Sequence, residues 1–186
     1  MRGVLVAGLA AVCLAATPSL AAAHGGTSDG ARGPVNMLGQ AKQLRELRAA
    51  TAAYRSGPAA PWTTQVFDVN GITCIEDPNG TGTMGIHFVD PANLTDGTVN
   101  RLAPEALIYE PEAGGSFSLI AVEYLVFADA WDANHRKPPK LYGHRFERVP
   151  AGNRYGLPAF YELHVWHERA NANGTFNDWN PAVHCS

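Results

Sequence analysis

The sequence predicts an α+β domain in which one N-terminal helix packs on a curved, mostly antiparallel β-sheet, with barrel-like closure as the limiting form. Three observations carry that expectation. A single stretch at helical spacing precedes a run of segments rich in β-branched and aromatic residues, which is the pattern of a helix laid on a sheet. The 19 glycines and 13 prolines among 186 residues divide the chain into short elements. The intervals between most strand candidates are too short for helical crossovers, so neighbouring strands run antiparallel.

The first element is MRGVLVAGLAAVCLAATPSLAAA, residues 1–23. Arg2 precedes an apolar run that closes on Pro18 and three alanines, the pattern of a secretory signal peptide. The mature protein is expected to be secreted or extracytoplasmic. No membrane anchor is expected after cleavage, because no later stretch approaches about 18 uninterrupted apolar residues. Residues 24–36 open with HGGTSDGARGP, which has no large apolar residue and reads as a flexible tail. Residues 37–186 then form a single globular domain, long enough to bury its own core.

Within residues 36–56, Leu38, Ala41, Leu44 and Leu47 recur at helical spacing, and Gly57-Pro58 marks the end. Strands are expected at residues 65–69, 84–89, 106–110, 117–127, 140–147 and 160–168. The turn sequences DPNGTG, EPEAGG and ANANGT separate or follow them. Cleavage of the leader removes Cys13 and leaves Cys74 and Cys185, which in an oxidising compartment are expected to form a disulfide. A thiolate pair on a metal is the alternative. A formal charge of −3 with no basic stripe argues against a nucleic-acid partner.

The chemistry sits in strands that are apolar but for one residue. FSLIAVEYLVF, residues 117–127, is apolar on both faces apart from Glu123, Tyr124 and Ser118, so Glu123 is expected deep in the fold. An ionised carboxylate there must be paired, protonated or bound to a cation. In MGIHFV, His87 is the only polar side chain, again needing a partner. In YELHVWHE, strand alternation sends Glu162, His164 and Trp166 to one face and Leu163, Val165 and His167 to the other. A helix would instead bring His164, His167 and Glu168 together; the alternation and the aromatic content favour the strand.

Two histidines and a carboxylate facing inward from neighbouring strands suit a divalent transition metal such as zinc, copper or iron. His87, His164 and Glu123 are the expected ligands, with Glu110 a weaker fourth. Glu123 is either a ligand or the catalytic base that takes a proton from metal-bound water. The plainer alternative is that His87 and Glu123 hydrogen-bond each other or the backbone inside the core. Tyr109, Tyr124 and Trp166 are the expected walls of an apolar pocket, for a small molecule or a polysaccharide. His24 would become the first mature residue, where amine and imidazole can chelate copper, but the Gly- and Ser-containing stretch after it offers no rigid frame. His135, His144 and His184 read as loop or surface residues. The sequons at Asn79, Asn93 and Asn173 matter only in a host that glycosylates. No nucleophile elbow, phosphate loop or dinucleotide fingerprint is present.

Taken in order, MGIHFVDP, PEALIYEP, LIAVEYLVF, LYGHRF, LHVW and FNDWNPAVHC resemble a family of small exported bacterial proteins. Its members carry the series GxMGxHyvNP, PExLvYEP, LVaVEY, LfG and LHvWxxxxNPxGxFxxWNPxvxC. The resemblance covers residues 73–185. It implies a shared fold and retained His87, Glu123, His164 and Cys185 positions, and it implies no activity. Asp90 stands where the series has Asn, and Asn171-Ala-Asn-Gly where it has Asn-Pro-x-Gly. Both departures fall in turns. The leading expectation is a secreted metal-binding protein, a hydrolase or oxidoreductase if it is an enzyme. The alternative is a non-catalytic small-ligand-binding or envelope interaction protein.

Overall fold

A computed structural model describes residues 37–185. The expected leader (1–23), tail (24–36) and His24 lie outside the described residues. The chain is a mixed helix and antiparallel-sheet structure. Helix α1 spans Met37–Ala50 and gives way to a 3-10 turn at Ala52–Tyr54. The helix thus stops short of the expected residue 56. Thr51 has left the helical conformation (φ −97°, ψ 1°), and its hydroxyl donates to the Leu47 carbonyl at 3.0 Å. Of the apolar face read from sequence, Leu47 is fully buried in the main core cluster and Leu44 packs against it, whereas Leu38 is exposed.

The strands are β1 (Thr64–Gln65), β2 (Cys74–Glu76), β3 (Thr83–Val89), β4 (Ala106–Pro111), β5 (Phe117–Phe127), β6 (Lys140–Leu141), β7 (His144–Arg145), β8 (Glu147–Val149) and β9 (Phe160–Val165). Short helices α2 (Pro91–Thr95) and α3 (Ala128–Asp132) follow β3 and β5. The main sheet runs β1-β3-β4-β5-β9-β8, with β2 also on β3, and every pairing is antiparallel. Among the described residues no pairing joins β8 back to β1 or β2, so the barrel-like closure is not found. The strand expected at 140–147 is a β6–β7 hairpin followed by β8. Tyr142 (φ 52°) and Gly143 (φ 85°) break it, because two successive left-handed residues make a tight turn.

Pleating divides β3, β4, β5 and β9 into two faces. Ile86, Phe88, Leu107, Tyr109, Val122, Tyr124, Leu163 and Val165 face the main core. The register shifts by one residue opposite Ile108/Tyr109, leaving Ile120 unpaired on β5. That bulge lets Leu119 and Val122, three apart, both reach the core. The other face carries His87, Ala106, Ile108, Glu123, Leu125, Glu162 and His164. The C-terminal segment covers part of it, with Trp166 and Val183 on Ile108 and Ile120, and Trp179 on Ile75 and Met84.

Two close approaches fix that cover. The Thr83 and Asn180 backbones exchange hydrogen bonds at 3.1 and 3.2 Å. Beside them a Cβ on Gly82 would lie 2.6 Å from the Asn180 carbonyl carbon. On β3, Gly85 has φ +104° and its absent Cβ would meet the Tyr109 carbonyl oxygen at 2.7 Å. Neither position admits a side chain. Cys74 on β2 is bonded to Cys185, with Cα atoms 5.6 Å apart across a sequence separation of 111. A loop of that length places the ceiling of its stabilisation at about 4–5 kcal/mol. Titration of denatured, unreduced protein should find neither Cys74 nor Cys185 free, and Cys185→Ser should lower the urea midpoint; an unchanged midpoint would show that the loop adds no stability.

Candidate metal centre

Register builds the site. Glu123 on β5 stands directly opposite His164 on β9, and on its other side opposite Ala106 on β4. Ala106 pairs in turn with Val89 on β3, two residues along from His87. Strands two apart are separated by about 10 Å, so side chains on β3 and β5 meet only if the strand between them offers little bulk. Ala106 provides that gap. Across it His87 Nε2 lies 3.6 Å from Glu123 Oε2, and the His87 and His164 rings stand perpendicular with centroids 5.9 Å apart. One ligating atom from each of His87, Glu123 and His164 falls within 4.8 Å of the others.

The sequence did not point to the rest of the cluster. Asp178, from the C-terminal segment, brings Oδ1 to 3.2 Å from His164 Nδ1. Glu162, two residues before His164 on β9, forms a second close group with His164 and Asp178. Glu162 was visible in the alternation, on the His164 face, but was not nominated. Asp178 lies in the NDWNP turn, where an aspartate looks like ordinary turn chemistry.

The decisive feature is what these groups lack. The ring nitrogens of His87 and His164 are buried, and Glu162 Oε1 with them; only His164 Nδ1 has a close partner, Asp178 at 3.2 Å. The 3.6 Å contact of His87 with Glu123 is too long for a hydrogen bond. A buried polar group without a partner costs about 1–3 kcal/mol. Burial, with the neighbouring His164 charge, pushes the His87 pKa down to about 3, so its imidazole is neutral and its lone pair is free. Burial also works against the His164 imidazolium, but Asp178, Glu123 and Glu147 outweigh it and raise the pKa. Burial raises Glu123, with His164 offsetting part of the rise. Glu162 goes well above the carboxylate range, through burial and then the Glu123 charge.

The donor set fits a divalent transition ion. Imidazole and carboxylate at bond lengths of about 2.0–2.2 Å need donors about 3–4 Å apart, close to the spacing already present. The strand expected to residue 168 ends at Val165, so His167 lies past β9 and not on its alternating faces; it stands apart from the cluster, with Nε2 2.9 Å from the Thr51 hydroxyl.

Two expectations are corrected by the structure. Glu110 is on the right face but pairs with Ser118, whereas Glu123 pairs with Ala106, four residues back along β4. At about 3.3 Å per residue this separation is about 13 Å. Glu110 instead pairs with Arg169 and accepts the His184 N–H at 3.1 Å. Tyr109 and Tyr124 belong to the opposite face, where their hydroxyls donate to the carbonyls of Tyr54 at 3.0 Å and Arg101 at 2.6 Å. Trp166 packs with Ile108 and Ile120 and donates to the Asn177 carbonyl. None of the three lines the cavity that adjoins His87 and Glu123.

That cavity, of about 150 Å³, has His87, Glu123 and Glu105 on its polar side. Glu105 precedes β4, and its Oε2 accepts the Leu125 N–H at 2.9 Å beyond the start of that strand. Burial pushes its pKa up to about 8, with the Leu125 N–H offsetting part of the rise.

No family model, curated protein or solved structure matches the chain.

Because the folded pKa of Glu105 lies above its ordinary 4.5, folding favours the protonated form, and that stability is lost as pH rises from about 4.5 to about 8. Glu105→Gln keeps an acceptor for Leu125 and cannot ionise. Its melting temperature relative to the wild-type chain should climb across that window; a pH-independent difference would mean that Glu105 is not the titrating group.

Proposed function

We propose that the protein is an exported metal-binding protein in which His87, His164 and Glu123 hold a divalent transition ion, zinc, copper or iron. The observation that supports this most directly is that each of the two imidazoles has a buried Nε2 with no hydrogen-bond partner, close to the Glu123 carboxylate. A folded protein rarely leaves such groups without a partner, and here a single cation would satisfy one nitrogen on each ring and neutralise the carboxylates around them. When bound, the ion would supply Lewis-acid or redox chemistry to a molecule beside it.

The chain's own residues have distinct parts in this reading. His87, neutral down to about pH 3, offers a lone pair at any physiological pH. Asp178 fixes the His164 ring from the far side, as carboxylates beside metal-bound imidazoles do. Glu123 touches both the ligand cluster and the cavity, so it is either a ligand or the group that accepts a proton from water in the site. Helix α1 is taken as the cover over the opposite face, on the strength of buried Leu47 and the Thr51–His167 contact. The Cys74–Cys185 bond is in keeping with export.

The test is metal analysis of untagged protein purified from its export route, with thermal melting before and after chelation. About one ion per chain and a chelator-induced fall in melting temperature are expected. His87→Ala and His164→Ala should each lose the ion, because removing one ligand leaves too few bonds to hold it. His167→Ala should retain it and act only on packing around Thr51. Glu123→Gln should fold and bind metal more weakly. Metal-free wild-type protein that cannot be reconstituted, or equal metal loss in the His164 and His167 variants, would refute the assignment.

A further inference from the structure

The cavity beside His87 and Glu123 is lopsided in a way that bears on what could enter it. Apart from His87, Glu105, Glu123 and Tyr155, its walls are apolar, with Val66, Phe67, Leu94, Leu125, Leu157 and Phe160 the larger side chains. Phe67 is 54 % exposed and stands at the mouth, while Phe160 is fully buried at the floor. An apolar cavity of about 150 Å³ takes a molecule of roughly benzene size.

Charge and hydration narrow the occupant further. The apolar walls strip water from any charged group placed against them, so a full charge of either sign is costly there. With a metal ion on Glu123, a second positive charge is repelled as well. A sugar ring would strand several hydroxyls against the aliphatic walls, each desolvated with no hydrogen-bond partner. A mostly apolar molecule avoids all of these penalties. One oxygen on it can meet the polar groups of the wall, His87, Glu105 and Glu123.

We infer that the metal centre faces a binding site for a small, uncharged, largely apolar molecule with a single polar end, seated between Leu94, Leu125, Leu157 and Phe160 with its oxygen toward His87, Glu105 and Glu123. This inference rests on the proposed metal site for what happens at the polar end, but the cavity is formed by residues that do not hold the ion apart from His87 and Glu123. A polysaccharide chain is thereby disfavoured as the molecule that enters it.

Benzyl alcohol serves as the probe, with benzoate and glucose as charged and polyhydroxylated counterparts. Methyl NMR of the mature chain, in chelated and metal-loaded forms, should show saturable shifts of the Leu94, Leu125 and Leu157 signals with benzyl alcohol alone, and a higher melting temperature. Leu157→Trp fills the cavity and should weaken benzyl alcohol binding by about tenfold or more while metal stoichiometry stays at the wild-type value. Leu94→Phe is measured in the same way and decides the matter if Leu157→Trp does not fold. His164, outside the cavity wall, provides the converse: chelated His164→Ala should still bind benzyl alcohol. Unmoved leucine methyls in both forms, glucose or benzoate binding as well as benzyl alcohol, or undiminished binding in the folded filling variant would each overturn the inference. Metal loss without any change in benzyl alcohol binding would instead count against the metal reading alone.

Discussion

Glu123 faces His164 across a directly opposed pair of strands, and both are buried against the same sheet that forms the core. Two ionisable groups so buried keep little of their hydration, so most of their charge must be balanced from within. Much else in the structure follows from this requirement. His87 is drawn toward Glu123 over Ala106, Asp178 is brought in from the C-terminal segment, and burial beside them raises the pKa of Glu162. Packed hydrophobic residues at such positions often stabilise a fold as well as an ionic set does. On the proposed reading, the ion accounts for keeping the polar groups.

The small residues around the cluster are as informative as the charged ones. Ala106 is the gap through which β3 and β5 communicate. Gly85 allows β3 to lie tight against the β4 backbone just before His87, and Gly82 does the same for the C-terminal cover. The polar residues thus occupy a frame whose close approaches leave little freedom to shift. Rigid backbone under a cluster of ligands is what holds donor atoms at fixed separations.

How much of this was readable in advance depended on context. His87, Glu123 and His164 were legible because each interrupts an apolar strand, whereas His167, read onto the opposite face of the same strand, lies past its end. Strand alternation places Tyr124 opposite in face to its neighbour Glu123, yet aromatic content had suggested a pocket wall. Glu110 had the correct face but the wrong position along β4, which only strand register decides. Asp178 and Glu105 lie outside regular periodicity, one in a turn and one just after Pro104, so no pattern marked them. β2 and β8, three residues each, are too short for a periodic signal and form because longer neighbours template them. The β6–β7 turn had a visible Gly143, but Tyr142 in a left-handed conformation is not a residue that sequence would nominate.

The order of the residues along the chain has a consequence for biogenesis. His87 and Glu123 emerge early, whereas His164, Asp178 and Cys185 belong to its last portion. A partly synthesised or partly translocated chain therefore holds only half of the donor set, and the C-terminal lid that dries the site is still missing. If the chain is exported and holds an ion as proposed, selection of the ion falls to the compartment in which the final residues arrive, where the competing metals, and the oxidant that closes Cys74 onto Cys185, are those of the destination and not of the cytoplasm.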